Sequence, residues 1–112
     1  EEIFWTEKET PPRCKQCNSM IRPNVVWFGE SLSEEKLNFA FQKAAICDVM
    51  IVIGTSGLVQ PAASLPYAAK QHKKATIIEI NTAETELSSM VDVILRGKAG
   101  VLLPEILETI VL

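Results

Sequence analysis

Beyond residue 30 the chain alternates between segments with helical and with strand periodicity. Ser33 is a residue type that caps helices, and the apolar residues after it recur at the spacing of one helix face: Leu37, Ala40, Phe41, Ala44 and Ala45. Residues 49–53 form a continuous apolar run that ends at a glycine, which is typical of a strand buried on both faces of a parallel sheet. The pattern therefore predicts a helix followed by a buried strand.

The same alternation continues to the carboxyl end of the chain. A helix is predicted from Pro61 through residues 62–69, with Pro66 delaying or kinking its start. The elements predicted after it are a strand over 75–80, a helical turn over 85–90, a strand over 92–96 and an amphipathic helix over 103–112. Alternating elements of this kind predict an α/β fold with a doubly wound parallel sheet. The three predicted strands make only a partial sheet. We therefore expect further strands from an amino-terminal part of the protein.

Residues 1–24 differ from the remainder in composition. They are rich in turn-forming residues and have little periodicity, with Pro11, Pro12, Asn18 and Pro23 close to two cysteines. We therefore predict a small irregular module over residues 1–24 and the α/β domain over residues 25–112.

Size and charge exclude several classes of protein. A chain of 112 residues with 47% hydrophobic composition can build one core. The net charge of -3 comes without long runs of one sign, so we expect no direct nucleic-acid contact. No apolar stretch is long enough for a bilayer, so we expect no membrane contact. Because 3 cysteines cannot all pair with one another, a reducing, cytoplasmic setting is expected.

Two of the cysteines, Cys14 and Cys17, have the spacing of a zinc knuckle. Two thiolates at this spacing supply half of a tetrahedral zinc site, and the other half must come from another segment. A free or redox-active thiol pair is the alternative interpretation. Cys47 stands beside an apolar strand and is interpreted as a small buried hydrophobic residue.

The residues after each predicted strand are candidates for ligand binding, because ligands of doubly wound sheets bind beyond the carboxyl ends of the strands. The three exits are Gly54-Thr55-Ser56-Gly57, Asn81-Thr82 and Gly97-Lys98-Ala99-Gly100. Their glycines and short polar side chains suit ribose hydroxyls, although such residues also end strands in unrelated proteins. Neither of the two common glycine-rich phosphate-binding motifs is present.

Two further features have competing interpretations. Residues 25–30 are strongly apolar and end in Gly29 and Glu30, so they are either packed in a core or form an edge that pairs with a peptide by strand addition. His72, the only histidine, lies among lysines at a predicted helix end and is interpreted as solvated rather than catalytic.

Short motifs follow one another along the chain: Arg13-Cys14-x-x-Cys17, Arg22-Pro23-x-Val25-Val26-Trp27-Phe28-Gly29-Glu30, Gly54-Thr55-Ser56, Pro61-Ala62-Ala63, Ile78-Glu79-Ile80-Asn81 and Gly97-Lys98-Ala99-Gly100. In this order they resemble the sirtuin family of NAD-dependent protein deacylases, and the resemblance covers nearly the whole chain. It implies a Rossmann-like domain joined to a small zinc-ribbon module, with NAD and an acyl-lysine peptide meeting between them.

The resemblance also implies roles for individual residues. Cys14 and Cys17 correspond to the second half of a structural four-cysteine zinc site. The residues implied to form the strand that holds the substrate peptide are Val26, Phe28, Gly29 and Glu30. The residues implied to bind the ribose and adenine side of NAD are Gly54, Thr55, Ser56, Asn81, Thr82, Ala83, Lys98 and Ala99. In the family, the Val26 carbonyl would accept a hydrogen bond from the acyl-amide N–H.

Several sirtuin motifs do not occur in this sequence. The pyrophosphate loop, the Asn-x-Asp pair, the catalytic His-Gly and the first cysteine pair lie upstream in the family. The chain is therefore expected to be an inactive portion of a deacylase that transfers the acyl group from lysine to ADP-ribose and releases nicotinamide. Two alternatives remain: a non-catalytic NAD- or ADP-ribose-binding module and, by fold analogy alone, the middle domain of a thiamine-diphosphate enzyme.

Overall fold

The computed structural model describes residues 11–110. They fall into two compact units, one that ends at Leu32 and one that begins at Ser33. The division into domains at residues 24 and 25 stays a prediction. No helix within the described range has both the length and the apolar character that crossing a bilayer requires.

The unit that begins at Ser33 contains a parallel sheet and its connecting helices. In chain order its elements are α1 (Glu34–Ile46), β1 (Val49–Ile53), a 3₁₀ turn (Ala62–Ser64), α2 (Leu65–Lys73), β2 (Thr76–Asn81), β3 (Val93–Arg96) and α3 (Ala99–Ile110). The strands are adjacent in the order β1-β2-β3, and both pairings are parallel. This confirms the predicted α/β fold with a parallel sheet.

Local chemistry explains where the first two helices begin and end. The Ser33 hydroxyl accepts a hydrogen bond from the Lys36 N–H at 3.4 Å, which is the predicted N-cap of α1. Regular α2 begins only at Leu65, because Pro66 has no N–H to donate and is tolerated only in the first turn of a helix. Lys74 ends α2 in the left-handed conformation, with φ of 55°.

The helical turn predicted over residues 85–90 is present as successive turns over residues 86–90, in which the Ser88 N–H donates to the Thr85 carbonyl and the Met90 N–H donates to the Leu87 carbonyl. Another predicted element differs from the structure. The last helix begins at Ala99 instead of residue 103 and contains Pro104. Gly97, Gly100 and Pro104 are residue types typical of loops, so the sequence pattern did not predict the first turn of α3.

The core lies between the sheet and the first two helices. Ala44 of α1, Ala69 of α2 and Ile77 of β2 are buried together. Ile80 on the opposite face of β2 is also fully buried. The prediction that residues 49–53 are buried on both faces is wrong for the described chain. Val49, Ile51 and Ile53 share one face of β1 and stay 41–52% exposed, whereas Met50 and Val52 on the other face pack against the core.

Candidate functional site

The three predicted strand exits lie side by side at the carboxyl edge of the sheet. The Gly54 N–H donates to the Ile80 carbonyl at 3.0 Å, and the Asn81 side-chain amide donates to the Thr55 carbonyl at 2.9 Å. At the third exit, the Gly97 N–H donates to the Asn81 carbonyl at 3.1 Å. Asn81 therefore joins the first exit to the third. Its two partners, Thr55 and Gly97, are more than 40 positions apart in sequence.

The loop after β1 combines an open backbone with short hydroxyl side chains. Gly54 has φ of +63°, and a Cβ there would meet nothing within 4 Å, so a ligand can approach this backbone closely. The Thr55 hydroxyl accepts from the Gly57 N–H at 3.2 Å, and the Ser56 hydroxyl accepts from the Leu58 N–H at 3.4 Å. Each hydroxyl keeps its own hydrogen to donate to a ligand.

The remaining predicted contacts with NAD lie at the other two exits. Thr82 and Ala83 are exposed in the bend after β2, and Lys98 is exposed just before α3. Ala99 is the first residue of α3 rather than part of a loop. All the predicted residues are therefore at one edge of the sheet.

Gly57 is a second glycine with positive φ, at +73°, but its surroundings are closed. A Cβ at Gly57 would lie 2.5 Å from the Leu87 Cγ, and Leu87 is only 1% exposed. We predict that Gly57→Ala destabilises the chain by about 2–4 kcal/mol, by adding a steric clash to the cost of the left-handed backbone. Gly54→Ala has the backbone cost alone, about 1–2 kcal/mol.

Urea unfolding of both variants checks this prediction. Equal losses for Gly57→Ala and Gly54→Ala would show that Leu87 does not restrict the space at Gly57.

Below these exits is a buried charged group that the sequence analysis missed. Glu79 on β2 is 1% exposed. Its carboxylate accepts hydrogen bonds from the Thr85 hydroxyl, from the Ser88 hydroxyl at 2.7 Å and from Arg96 Nη1 at 2.7 Å. Burial alone raises the pKa of Glu79, but the hydrogen bonds and the Arg96 charge outweigh it, and the net pKa is lowered.

A second carboxylate ties α2 to the start of β3. Asp92 accepts from the Ile77 N–H at 2.8 Å and pairs with the Lys70 ammonium. The pKa of Asp92 is lowered, first by the Ile77 N–H and then by Lys70. Both carboxylates are therefore held in the ionised form by the folded chain.

The two lowered pKa values predict acid sensitivity. Stability contributed by ionised Glu79 and Asp92 is present above their ordinary values, 4.5 and 3.8, and is lost as pH falls through the lower values of the folded state. We expect the urea midpoint to fall between about pH 5 and pH 3. The urea midpoint should change less with pH in the Asp92→Asn variant. A midpoint that stays constant over this range would contradict the prediction.

An open cleft of about 530 Å³ lies beside the first two exits. Its lining residues are Ser56, Leu58, Glu84, Thr85, Glu86 and Ser89. Ser56 belongs to the predicted NAD contacts, and Thr85 binds the buried Glu79 carboxylate. One wall of the cleft is therefore held by the Glu79 hydrogen bonds.

In the unit that ends at Leu32, the two predicted zinc ligands lie on a small hairpin. The Cys14 N–H donates to the Ser19 carbonyl, and the Cys14 carbonyl accepts from the Asn18 N–H, both at 2.8 Å. Arg13 and Met20 pair as an isolated antiparallel bridge. The pKa of the Cys17 thiol is lowered, chiefly by hydrogen bonds from Ser19 and then from Cys14. This favours the thiolate, the form that binds zinc.

These cysteines fit half of a zinc site. Within residues 11–110, no cluster of three or more metal-ligating side chains is present. Two further ligands would therefore have to come from outside that range. His72 is exposed on α2, which agrees with the prediction that it is solvated.

Three of the predicted peptide-binding residues, Phe28, Gly29 and Glu30, lie in a turn that follows Val26, and not in the strand that the family resemblance implies. Gly29 has φ of +88°, and the Glu30 N–H donates to the Trp27 carbonyl at 3.0 Å. The Glu30 carboxylate binds Arg22 through both oxygens, at 2.6 and 3.0 Å, and accepts from the Trp27 N–H. A side-chain clamp of this kind stabilises the turn in place of ladder hydrogen bonds.

The clamp leaves other groups of the segment accessible. Arg22 also donates to the Val25 carbonyl at 2.6 Å and stacks on the Trp27 ring, 4.2 Å from its centroid. Phe28 is 93% exposed. Among residues 11–110, no group donates to the Val26 carbonyl. The Val26 acceptor is thus available to a peptide.

A parallel α/β sheet with glycine and short polar residues gathered at its carboxyl edge is typical of nucleotide-binding α/β proteins. The family model described as the Sir2 family matches residues 2–61. The chain belongs to the Sir2 family, and this replaces the thiamine-diphosphate analogy.

Relatives and solved structures agree with this family. The chain is 44% identical over 110 residues to the NAD-dependent protein deacylase of Pyrococcus furiosus, covering 98% of this chain and 44% of the relative. Sir2Af2 bound to a myristoylated histone peptide superposes with a TM-score of 0.79 at 43% identity, over 90% of this chain and 43% of that one. A mutant Sir2 homologue in complex with 2′-O-acetyl ADP-ribose has a TM-score of 0.78 at 45% identity, over 94% and 42% of the two chains.

The chain therefore spans less than half the length of the relatives that it matches. The similarity extends across both described units, so the predicted resemblance to sirtuins is confirmed.

Proposed function

We propose that this chain is the carboxyl-terminal portion of an NAD-dependent protein lysine deacylase. In the complete protein, the acyl group of an acyl-lysine peptide passes to ADP-ribose, and free lysine and nicotinamide are released. The observation that carries the proposal is the set of hydrogen bonds that joins the three exits, above all the one from Asn81 to Thr55. The relative from Pyrococcus furiosus carries the matching name.

The chain's own residues would bind and orient the two substrates. Gly54, Thr55 and Ser56 present backbone and hydroxyl groups to a ribose, and Asn81 through Ala83, with Lys98 and Ala99, surround the adenine side of NAD. The structure of a relative with 2′-O-acetyl ADP-ribose supports this assignment. The ADP-ribose part of NAD bound here would accept the acyl group, with nicotinamide as the leaving group.

The peptide would bind at Val26 and at the turn that follows it, which contains Phe28, Gly29 and Glu30. The Val26 carbonyl is available to accept the acyl-amide N–H, and the exposed Phe28 ring offers an apolar surface to an acyl chain. A relative bound to a myristoylated histone peptide supports an acyl-lysine partner. Paired with Arg22 and the Trp27 N–H, Glu30 would hold the shape of the turn rather than contact the peptide through its carboxylate.

A structural zinc ion completes the proposal, bound by Cys14, Cys17 and two ligands from the amino-terminal part of the protein. The Cys14 hairpin brings the two thiols close, and the lowered pKa of Cys17 favours metal binding. This zinc would stabilise the small module and would not take part in the reaction.

Nicotinamide release is the test of the proposed activity. The complete protein should release nicotinamide only when NAD and an acetyl-lysine peptide are both present, and the 112-residue chain should release none. Release from NAD without the peptide would indicate a glycohydrolase. No release by the complete protein under any of these conditions would overturn the proposal.

A non-catalytic ADP-ribose-binding module is the second candidate, since all the joined exits lie within this chain. Calorimetry of the isolated chain with ADP-ribose distinguishes it. A Kd below about 1 mM, combined with inactivity of the complete protein, would favour the binding module.

A further inference from the structure

Glu79 is buried and ionised, yet none of the proposed contacts with NAD or peptide uses it. Its carboxylate faces away from solvent and accepts from Thr85, Ser88 and Arg96. A buried carboxylate is costly unless it is paired and hydrogen-bonded. Glu79 meets this condition, and all its partners lie on β3 or on the segment between β2 and β3.

The partners of Glu79 organise the segment that forms one wall of the cleft. The Ser88 hydroxyl accepts from the Thr85 N–H at 2.9 Å and from Arg96 Nη2 at 2.9 Å. The Thr85 hydroxyl also accepts from the Leu87 N–H at 3.1 Å. Residues 85–88 are therefore held by side-chain hydrogen bonds to one carboxylate, together with the backbone bond from the Ser88 N–H to the Thr85 carbonyl.

Leu87 connects this segment to the exit of β1. Its side chain packs directly against Gly57, where even a methyl group would come within 2.5 Å. Gly57 belongs to the loop whose Thr55 carbonyl accepts from Asn81. A displacement of Leu87 would therefore move the loop that carries Thr55 and Ser56.

We propose that Glu79 is a positioning residue for the nucleotide site. Through Thr85, Ser88 and Leu87 it fixes the distance between the first two strand exits, and with it the fit of the adenosine half of NAD. This inference rests on the proposed function, because it assumes that NAD binds at these exits. Glu79 itself touches no substrate.

Affinity and stability can be separated with a pair of variants of the complete protein. Glu79→Leu leaves the Arg96 charge without its partner. The double variant Glu79→Leu with Arg96→Met replaces the ion pair by two apolar side chains, which commonly restores stability. Both variants remove the carboxylate that accepts from the hydroxyls of Thr85 and Ser88. Glu108→Gln, an exposed change on α3, is the control.

The measurements are the Kd for ADP-ribose by calorimetry, the Tm, and the KM values for NAD and for an acetyl-lysine peptide. Glu79→Leu should lower the Tm. We expect the double variant to recover the Tm but to keep an ADP-ribose Kd and a KM for NAD raised by about tenfold or more. The KM for the peptide should stay unchanged, and Glu108→Gln should match the wild type throughout.

If the double variant regains both Tm and ADP-ribose affinity, Glu79 only stabilises the fold and the inference is wrong. If Glu79→Leu does not fold, the milder Ser88→Ala must still raise the Kd without changing the peptide KM. Wild-type protein that binds no ADP-ribose would refute the proposed function instead.

Discussion

Arg96→Met is expected to destabilise the chain by about 3 kcal/mol, because it removes the cation that pairs with a buried carboxylate. Glu79 is 1% exposed and would stay buried with only two hydroxyl donors. A loss of this size is a large fraction of the stability of a small domain. Urea unfolding, followed by circular dichroism, measures it.

Lys70→Met is the matched control for Arg96→Met. It removes the cation of an ion pair in the same unit, but both partners are exposed, at 37% and 41% for Lys70 and Asp92. Exposed pairs contribute less than about 1 kcal/mol. Similar losses in the two variants would show that the burial of Glu79 does not determine the strength of the Arg96 pair.

Cys17→Ser is expected to remove zinc from the complete protein and to unfold its small module. Structural zinc sites contribute about 10–16 kcal/mol of apparent binding free energy in zinc-finger peptides, and a serine hydroxyl is a poor replacement for a thiolate. Cys14→Ser should have the same effect. Metal analysis of the purified protein should fall from about 1 equivalent of zinc to nearly none.

Cys47→Ser provides the control for the zinc experiment with the same substitution. Cys47 packs beside the core of the sheet unit and donates to the Ala44 carbonyl at 3.3 Å. Its replacement should leave the zinc content unchanged. Full zinc content in Cys17→Ser would rule out a role for this thiol as a ligand and would favour the alternative of a free or redox-active pair.

The order of helices and strands could be predicted from local patterns. Ser33 marks the start of α1 because its hydroxyl caps the helix, and the apolar run of residues 49–53 marks β1. The motifs that resemble sirtuins were also readable, since each is contiguous in sequence. Periodicity could not show that one face of β1 stays exposed, because burial depends on which strands and helices cover it.

The sequence by itself determined the family, the parallel α/β fold and the set of polar strand exits. Only the tertiary structure decided that Asn81 joins these exits and that Arg22 and Glu30 close a turn. It also decided that Glu79 is buried and binds the segment between β2 and β3. In the sequence, Glu79 is one charged residue in an apolar strand. Its partner Arg96 is 17 residues away and reaches it only because β2 and β3 pair in the observed parallel register. Contacts between distant residues depend on register and packing, which local periodicity does not encode.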